Sequence, residues 1–245
     1  MIKVKLNNYK KELLQIAKEL KTLPSGHLSK RKSCYYQYVT KEKQVGITKK
    51  PELIRQLARK KYLQARKAQL ENNLSKPLSE FDFSTPKELI ASLPNAYKDL
   101  PESYFYHPSI EAWLANPPNK NTINPEHAKY NSSSDIQFRS IAERIIAEIL
   151  AEYGLPHHYD VVIKINGKKV SPDFIIKNPF TGKTYILEHF GAFNKEGYAD
   201  SMNNKMDHYE KNGFTQFENL ITTYEYHIRE TQLIRDLIEQ IILSP

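Results

Sequence analysis

Residues 5 to 22 place Leu6, Tyr9, Leu13, Ile16, Ala17 and Leu20 three and four positions apart, which predicts one face of an amphipathic helix ending near LPSG. Its opposite face is lysine. HLSKRKSCYYQYVTKEKQVGIT, with a β-branched and aromatic run between basic residues, predicts a short hairpin carrying Tyr35, Tyr36 and Tyr38. A long helix follows from Lys50 to Leu74, with Pro51 suited to its first turn. Between 76 and 134 the pattern is broken by Pro and Asn, leaving only short helices at 86 to 93 and 108 to 115. Tyr104, Phe105, Tyr106 and Trp113 are too apolar for a free linker, so this connecting segment is expected to lie against a domain. From Asp135 the periodicities predict a helix at 135–153, strands near 158–165, 169–176 and 183–190, a helix at 197–211, a strand at 218–224 and a helix at 228–243. The fold class is α/β, in fuller terms an α+β mixed sheet with helices on its faces. Three regions result: a basic helix-hairpin-helix module at 1–75, a connecting segment at 76–134 and a compact domain at 135–245.

Charge adds a partner to this picture. The 245 residues carry a formal net charge of +8, yet residues 1 to 75 hold nineteen Lys and Arg against five Glu and Asp, while the rest hold 17 against 23. The positive charge belongs to one end, which points to a polyanion: nucleic acid first, an anionic membrane surface second. Lys30, Arg31, Lys32, Lys49, Lys50, Arg55, Arg59, Lys60 and Lys61 are the candidate backbone contacts, interleaved with tyrosines that can stack on bases. A solvated lysine-rich helical surface with tyrosines packing the hairpin is the plainer reading. No apolar run approaches the roughly 18–20 residues of a membrane helix and the start lacks a signal peptide's apolar core, so the expectation is a cytoplasmic protein without a membrane partner. The single cysteine, Cys34, excludes a disulfide framework and reads as an incidental thiol.

Candidate chemistry begins at TYILEHFGAF, residues 184–193, where Glu188 interrupts a run that otherwise reads as a strand buried on both faces. A carboxylate there needs a partner, a hydrogen bond or a metal. The strands at 169–176 and 183–190 are joined by KNPFTGK; in a hairpin symmetric about its midpoint, paired positions sum to 361, and so do Asp173 and Glu188. Two carboxylates opposed in an apolar sheet are a natural place for a divalent cation. On the helix RSIAERIIAEILAEY, Glu143 borders the apolar stripe and has two uses open to it, the sheet edge or a salt bridge to Arg139. Lys205 sits within the stripe of Tyr198, Met202 and Tyr209, aimed at the sheet unless it snorkels to solvent. His189 alternates in side from Glu188. His157, His158 and Asp160 do not suggest zinc, because adjacent histidines on a strand face opposite ways and no further ligand pair stands near.

These residues resemble the PD-(D/E)XK nuclease superfamily over about residues 135 to 245. SPDF supplies the Pro-Asp pair, LEHF the second acid, and Glu143 in RSIAE looks like the helical acid; RSxxE, PDF, EHFG, KxxxY and NLITTYE together look like bacterial and phage nuclease-like domains, some attached to helicases. The motif lysine would fall at Phe190, and Lys205 with Tyr209 four residues on looks like a lysine migrated to the next helix, similar to the Gln-x-x-x-Tyr motif of one nuclease branch. The resemblance implies a restriction-endonuclease-like αβββαβ core and a divalent-metal-dependent nuclease, acting on DNA sooner than RNA. It implies catalytic roles for Glu143, Asp173, Glu188, Lys205 and Tyr209, and Mg²⁺ or Mn²⁺ held by Asp173, Glu188, Glu143 and the carbonyl of His189. The alternative is a nucleic-acid-binding protein whose nuclease-like fold does not cleave. A homodimer and a helicase or other DNA-processing partner remain open.

Overall fold

The computed structural model describes residues 2–40, 43–131, 136–191 and 197–243, and the chain divides into two compact units, Met1–His107 and Pro108–Ser244. The segment 76–134 is therefore shared between the units. Asp135, the expected start of the compact domain, and Ala192 and Phe193 of the TYILEHFGAF stretch lie outside the described residues.

The first unit contains α1 (Ile2–Leu20), a meander of β1 (His27–Arg31), β2 (Cys34–Tyr38) and β3 (Gln44–Gly46), then α2 (Pro51–Ser75), α3 (Pro86–Ala91) and α4 (Asn95–Lys98). The expected hairpin gains a third strand because Gln44–Gly46 pairs antiparallel with Tyr36–Tyr38. Pro51 opens α2, where its missing N–H costs nothing. Glu12 and Glu19, two turns apart on α1, meet Arg66 and Arg59, two turns apart on α2, so the helices run antiparallel. Arg59 donates to both oxygens of Glu19 at 2.7 and 3.0 Å and to the Phe105 carbonyl at 2.8 Å. Arg66 grips Glu12 at 2.7 and 2.9 Å.

That geometry corrects one expectation. Arg59 is only 3% exposed, with its guanidinium spent inside the unit, and is no phosphate contact. The apolar periodicity of α2 places it on the core face, a fact that its charge obscured. Arg59→Ala would leave Glu19 partly buried without its counter-ion, so the unit is expected to lose about 3 kcal/mol in urea denaturation. Nucleic-acid affinity of the folded variant should not change.

The second unit holds α5 (Ser109–Ala115), the small pair β4 (Tyr130–Asn131) and β5 (Gln137–Phe138), α6 (Ile141–Glu152), β6 (His157–Tyr159), β7 (Ile163–Ile165), β8 (Lys168–Val170), β9 (Phe174–Lys177), β10 (Thr184–Phe190), α7 (Tyr198–Lys211), β11 (Leu220–Tyr224), α8 (Glu225–Arg229) and α9 (Thr231–Ile238). Among the described residues four strands form the main sheet, in the order β11-β10-β9-β6; β10 and β11 are parallel, the other pairs antiparallel. A parallel pair needs a crossover, and α7 provides it. The unit is thus mixed α/β, with no helix among the described residues long and apolar enough to cross a membrane.

Two predicted strands are interrupted. Residues 158–165 divide at Asp160, which takes a left-handed φ of 48°, and 169–176 divide at Pro172, which has no N–H to give a ladder. The pieces β7 and β8 pair with each other through a turn at Asn166 and Gly167, both at positive φ. The helix expected from 135 starts at Ile141, because the Ser140 hydroxyl accepts from the Glu143 N–H at 3.1 Å and caps it there. The helix expected at 228–243 is broken at Glu230, whose backbone is not helical.

Side chains of β10 alternate between two cores. Tyr185 and Leu187 pack with Phe138, Ile146, Leu150, Phe174 and Ile234; Ile186 packs with Ile165, Tyr209 and Leu220 on the other face. The β9–β10 turn is set by Asn178, whose Oδ1 accepts from the N–H groups of Phe180 and Thr181 at 2.8 and 2.9 Å. The ladder runs Thr184↔Lys177, Tyr185↔Ile176, Ile186↔Ile175 and Leu187↔Phe174, each pair summing to 361 as the loop symmetry predicts. The ladder ends there, one step short of the Asp173–Glu188 pair that the same sum would give.

Candidate active site

Glu188 lies on the Ile186 face of β10 and is 1% exposed. Both of its oxygens are held from α7: Lys205 Nζ donates to Oε2 at 2.6 Å and the Tyr209 hydroxyl to Oε1 at 2.6 Å. Lys205 and Tyr209 are four apart, hence on one helix face. Burial pushes the Glu188 carboxyl above its usual range, with Lys205 and Tyr209 pulling the other way. Burial and the Glu188 charge push the Tyr209 phenol far up, so it acts as a hydrogen-bond donor only.

Asp173, one residue before β9, accepts through Oδ2 from the backbone N–H of His189 at 2.7 Å. Burial and the charge of Glu188 push its carboxyl up to about 7, against the opposing pull of Lys205. Glu143, from the first turn of α6, accepts through Oε2 from the Tyr159 hydroxyl at 2.5 Å and the Arg139 N–H at 3.0 Å. Burial and the charge of Asp173 raise it. Each acid therefore feels the next: Glu143 through Asp173, Asp173 through Glu188.

The salt bridge that the sequence left open for Glu143 is not formed. The Arg139 guanidinium goes instead to Asp160, 2.7 Å from Oδ2, and only its backbone serves Glu143. His189 turns to the opposite face, as strand alternation requires: Nδ1 lies 3.1 Å from Thr223 Oγ1 and Nε2 is 3.6 Å from Glu225. Burial holds this imidazole below its usual pKa, with Glu225 pulling the other way. His157 and His158 contact the carbonyls of Leu155 at 2.9 Å and Trp113 at 3.2 Å.

Comparisons with protein-family models, with curated proteins and with solved structures find no match to this chain.

The donor chemistry fits a hard divalent cation. Three carboxylates, those of Glu143, Asp173 and Glu188, stand against one ammonium, that of Lys205. No three His, Cys, Asp or Glu side chains among the described residues are arranged so that they could hold a metal ion. The fit therefore rests on the chemistry of the oxygen donors, first those of Asp173 and Glu188.

Tyr159 was missed in the sequence. It lies two residues from His157, on the same face of β6, and its hydroxyl positions Glu143. Of the basic candidates in the first unit, Arg31, Lys32, Lys49 and Lys50 are exposed. Lys30 is paired with Asp99 at 2.6 Å, Arg55 stands 3.8 Å from Glu52, and Lys60 donates to the carbonyls of Pro24 and Gly26. Lys61 is half-buried. The exposed Arg31 guanidinium lies over Tyr36 and Tyr38 at the hairpin end.

Proposed function

We propose that the Pro108–Ser244 unit is a divalent-metal-dependent phosphodiesterase of the PD-(D/E)XK kind, acting on nucleic acid and on DNA before RNA. The observation that carries this reading is the Lys205 ammonium at 2.6 Å from Glu188, which supplies from α7 the cation that Phe190 cannot supply from β10. The order β11-β10-β9-β6, with α6 before the sheet and α7 between its parallel strands, supports a restriction-endonuclease-like core. Exposed Arg31, Lys32, Lys49 and Lys50 support a nucleic-acid partner for the other unit.

Asp173 and Glu188 would hold Mg²⁺ or Mn²⁺, with Glu143 and the His189 carbonyl as further ligands. Bound there, such an ion supplies a water of lowered pKa and stabilises charge on the scissile phosphate and leaving oxygen. Lys205 opposes the burial that raises the Glu188 carboxyl and presents its remaining N–H groups to an attacking water or a phosphate oxygen. Tyr209 fixes the Glu188 carboxylate from the second side. Tyr159 and the Arg139 N–H do the same for Glu143, so each acid enters the reaction already oriented.

A second reading, a nuclease-like fold that binds without cleaving, is favoured by the lack of a ready three-ligand group among the described residues. One assay separates the two. Plasmid and linear DNA, and RNA, are incubated with the full chain and Mg²⁺ or Mn²⁺; cleavage that stops with a chelator supports catalysis, and no cleavage of any form leaves binding alone.

A further inference from the structure

Beside the acids, β8 and α7 enclose a cleft of about 490 Å³. Its helical wall is made by Ser201, Asn204, Lys205 and His208, at i, i+3, i+4 and i+7 of α7. Such spacing ordinarily marks an apolar packing stripe, but here every position is polar. Lys168 of the β7–β8 hairpin faces it from the other side and forms no ion pair among the described residues. His208 lines this cleft, and its buried Nε2 has no hydrogen-bond partner among the described residues, a costly state for a ring nitrogen. Thus a cation, an amide, a hydroxyl and an orphaned imidazole line one cavity, and the acids lie beyond Lys205.

We propose that this cleft is the phosphate-binding subsite for the nucleic-acid strand flanking the reaction centre; the inference rests on the nucleic-acid reading above. Phosphate oxygens accept what the cleft offers: Lys168 supplies charge, Asn204 and Ser201 supply neutral donors, and the His208 ring adds an N–H where a small side-chain rotation brings it to the ligand. Lys205 joins the two sites, touching Glu188 and the cleft alike. Two sources share this chemistry, an internal phosphodiester of a continuing strand and a terminal phosphate at a strand end.

The test is fluorescence anisotropy of the full-length chain with a labelled oligonucleotide in a chelating buffer, so that binding is read without cleavage. The variants are Lys168→Ala, His208→Ala and, as a control outside the cleft, Lys164→Ala. Lys168→Ala and His208→Ala are each expected to weaken binding about tenfold. Lys164→Ala should match wild type, and a methylphosphonate backbone should bind wild type and the two cleft variants equally. Circular dichroism checks folding, and His208→Gln, which can still donate, should recover part of the affinity. A 5′-phosphate that tightens wild type but not the cleft variants assigns a strand end; loss that is the same for phosphorylated, unphosphorylated and circular substrates assigns an internal phosphodiester. Equal affinity of wild type and both cleft variants would overturn the subsite while leaving the acid cluster untouched. Failure of the catalytic reading would show separately, as weakened binding by these variants in a protein that never cleaves.

Discussion

Asp173→Asn is expected to abolish at least about 10³-fold of the metal-dependent cleavage while making the folded protein more stable above pH 7. On the proposed reading, the catalytic loss follows from removing one of the carboxylates that would hold the ion, whose charge stabilisation would account for several kcal/mol of the barrier. The stability gain follows from the same residue's cost. In the folded state its carboxyl is pushed up to about 7 by burial and by Glu188, against an ordinary value of 3.8. Between those two values the native state binds a proton that the unfolded chain has released, so wild-type stability falls as pH rises from about 4 to about 7. Because Asp173 keeps some contact with solvent, the full shift is discounted to about 1–2 kcal/mol. Asn keeps the acceptor for the His189 N–H and loses the charge. Urea denaturation at pH 5 and pH 8, without divalent ions, should show the fall in wild type and a smaller one in the variant; equal slopes would contradict the electrostatic picture.

Lys205→Met is expected to reduce cleavage by about 10²- to 10³-fold and, unlike the first variant, to destabilise the protein near neutral pH. Glu188 would keep only Tyr209 as a partner. Stranding a buried carboxylate typically costs about 3 kcal/mol. The cost should shrink as pH is lowered, because Glu188, already raised by burial, then takes up a proton. The contrast carries the argument: one substitution removes charge from an overcharged cluster, the other removes its only ammonium among the described residues.

Much of this geometry is legible in the sequence because β-pairing is a counting problem. Asn178 and Gly182 fix the turn, and the sum of 361 then fixes the register through Leu187↔Phe174, which brings Asp173 to the end of the ladder beside Glu188 and His189. Lys205 was legible as a charge on an apolar helical stripe. Other features depend on tertiary partners that periodicity does not encode. Arg59 and Lys60 read as basic surface, yet Glu19, Phe105, Pro24 and Gly26, distant in sequence, consume them. Spacing left Glu143 two uses, the sheet edge or a salt bridge to Arg139; Asp160, held at a left-handed turn, takes that guanidinium instead. The cleft stripe of Ser201, Asn204 and His208 reads as a solvated helix face until β8 is seen to stand across from it.

The most direct measurement of the central claim is a calorimetric titration of Mn²⁺ into the metal-free protein at pH 7, in buffers of different ionisation enthalpy. The account predicts one ion per chain, taken up with partial release of a proton because Asp173 gives up the one it holds, and neither signal in Asp173→Asn. Mn²⁺ uptake that is indistinguishable between wild type and Asp173→Asn would contradict it.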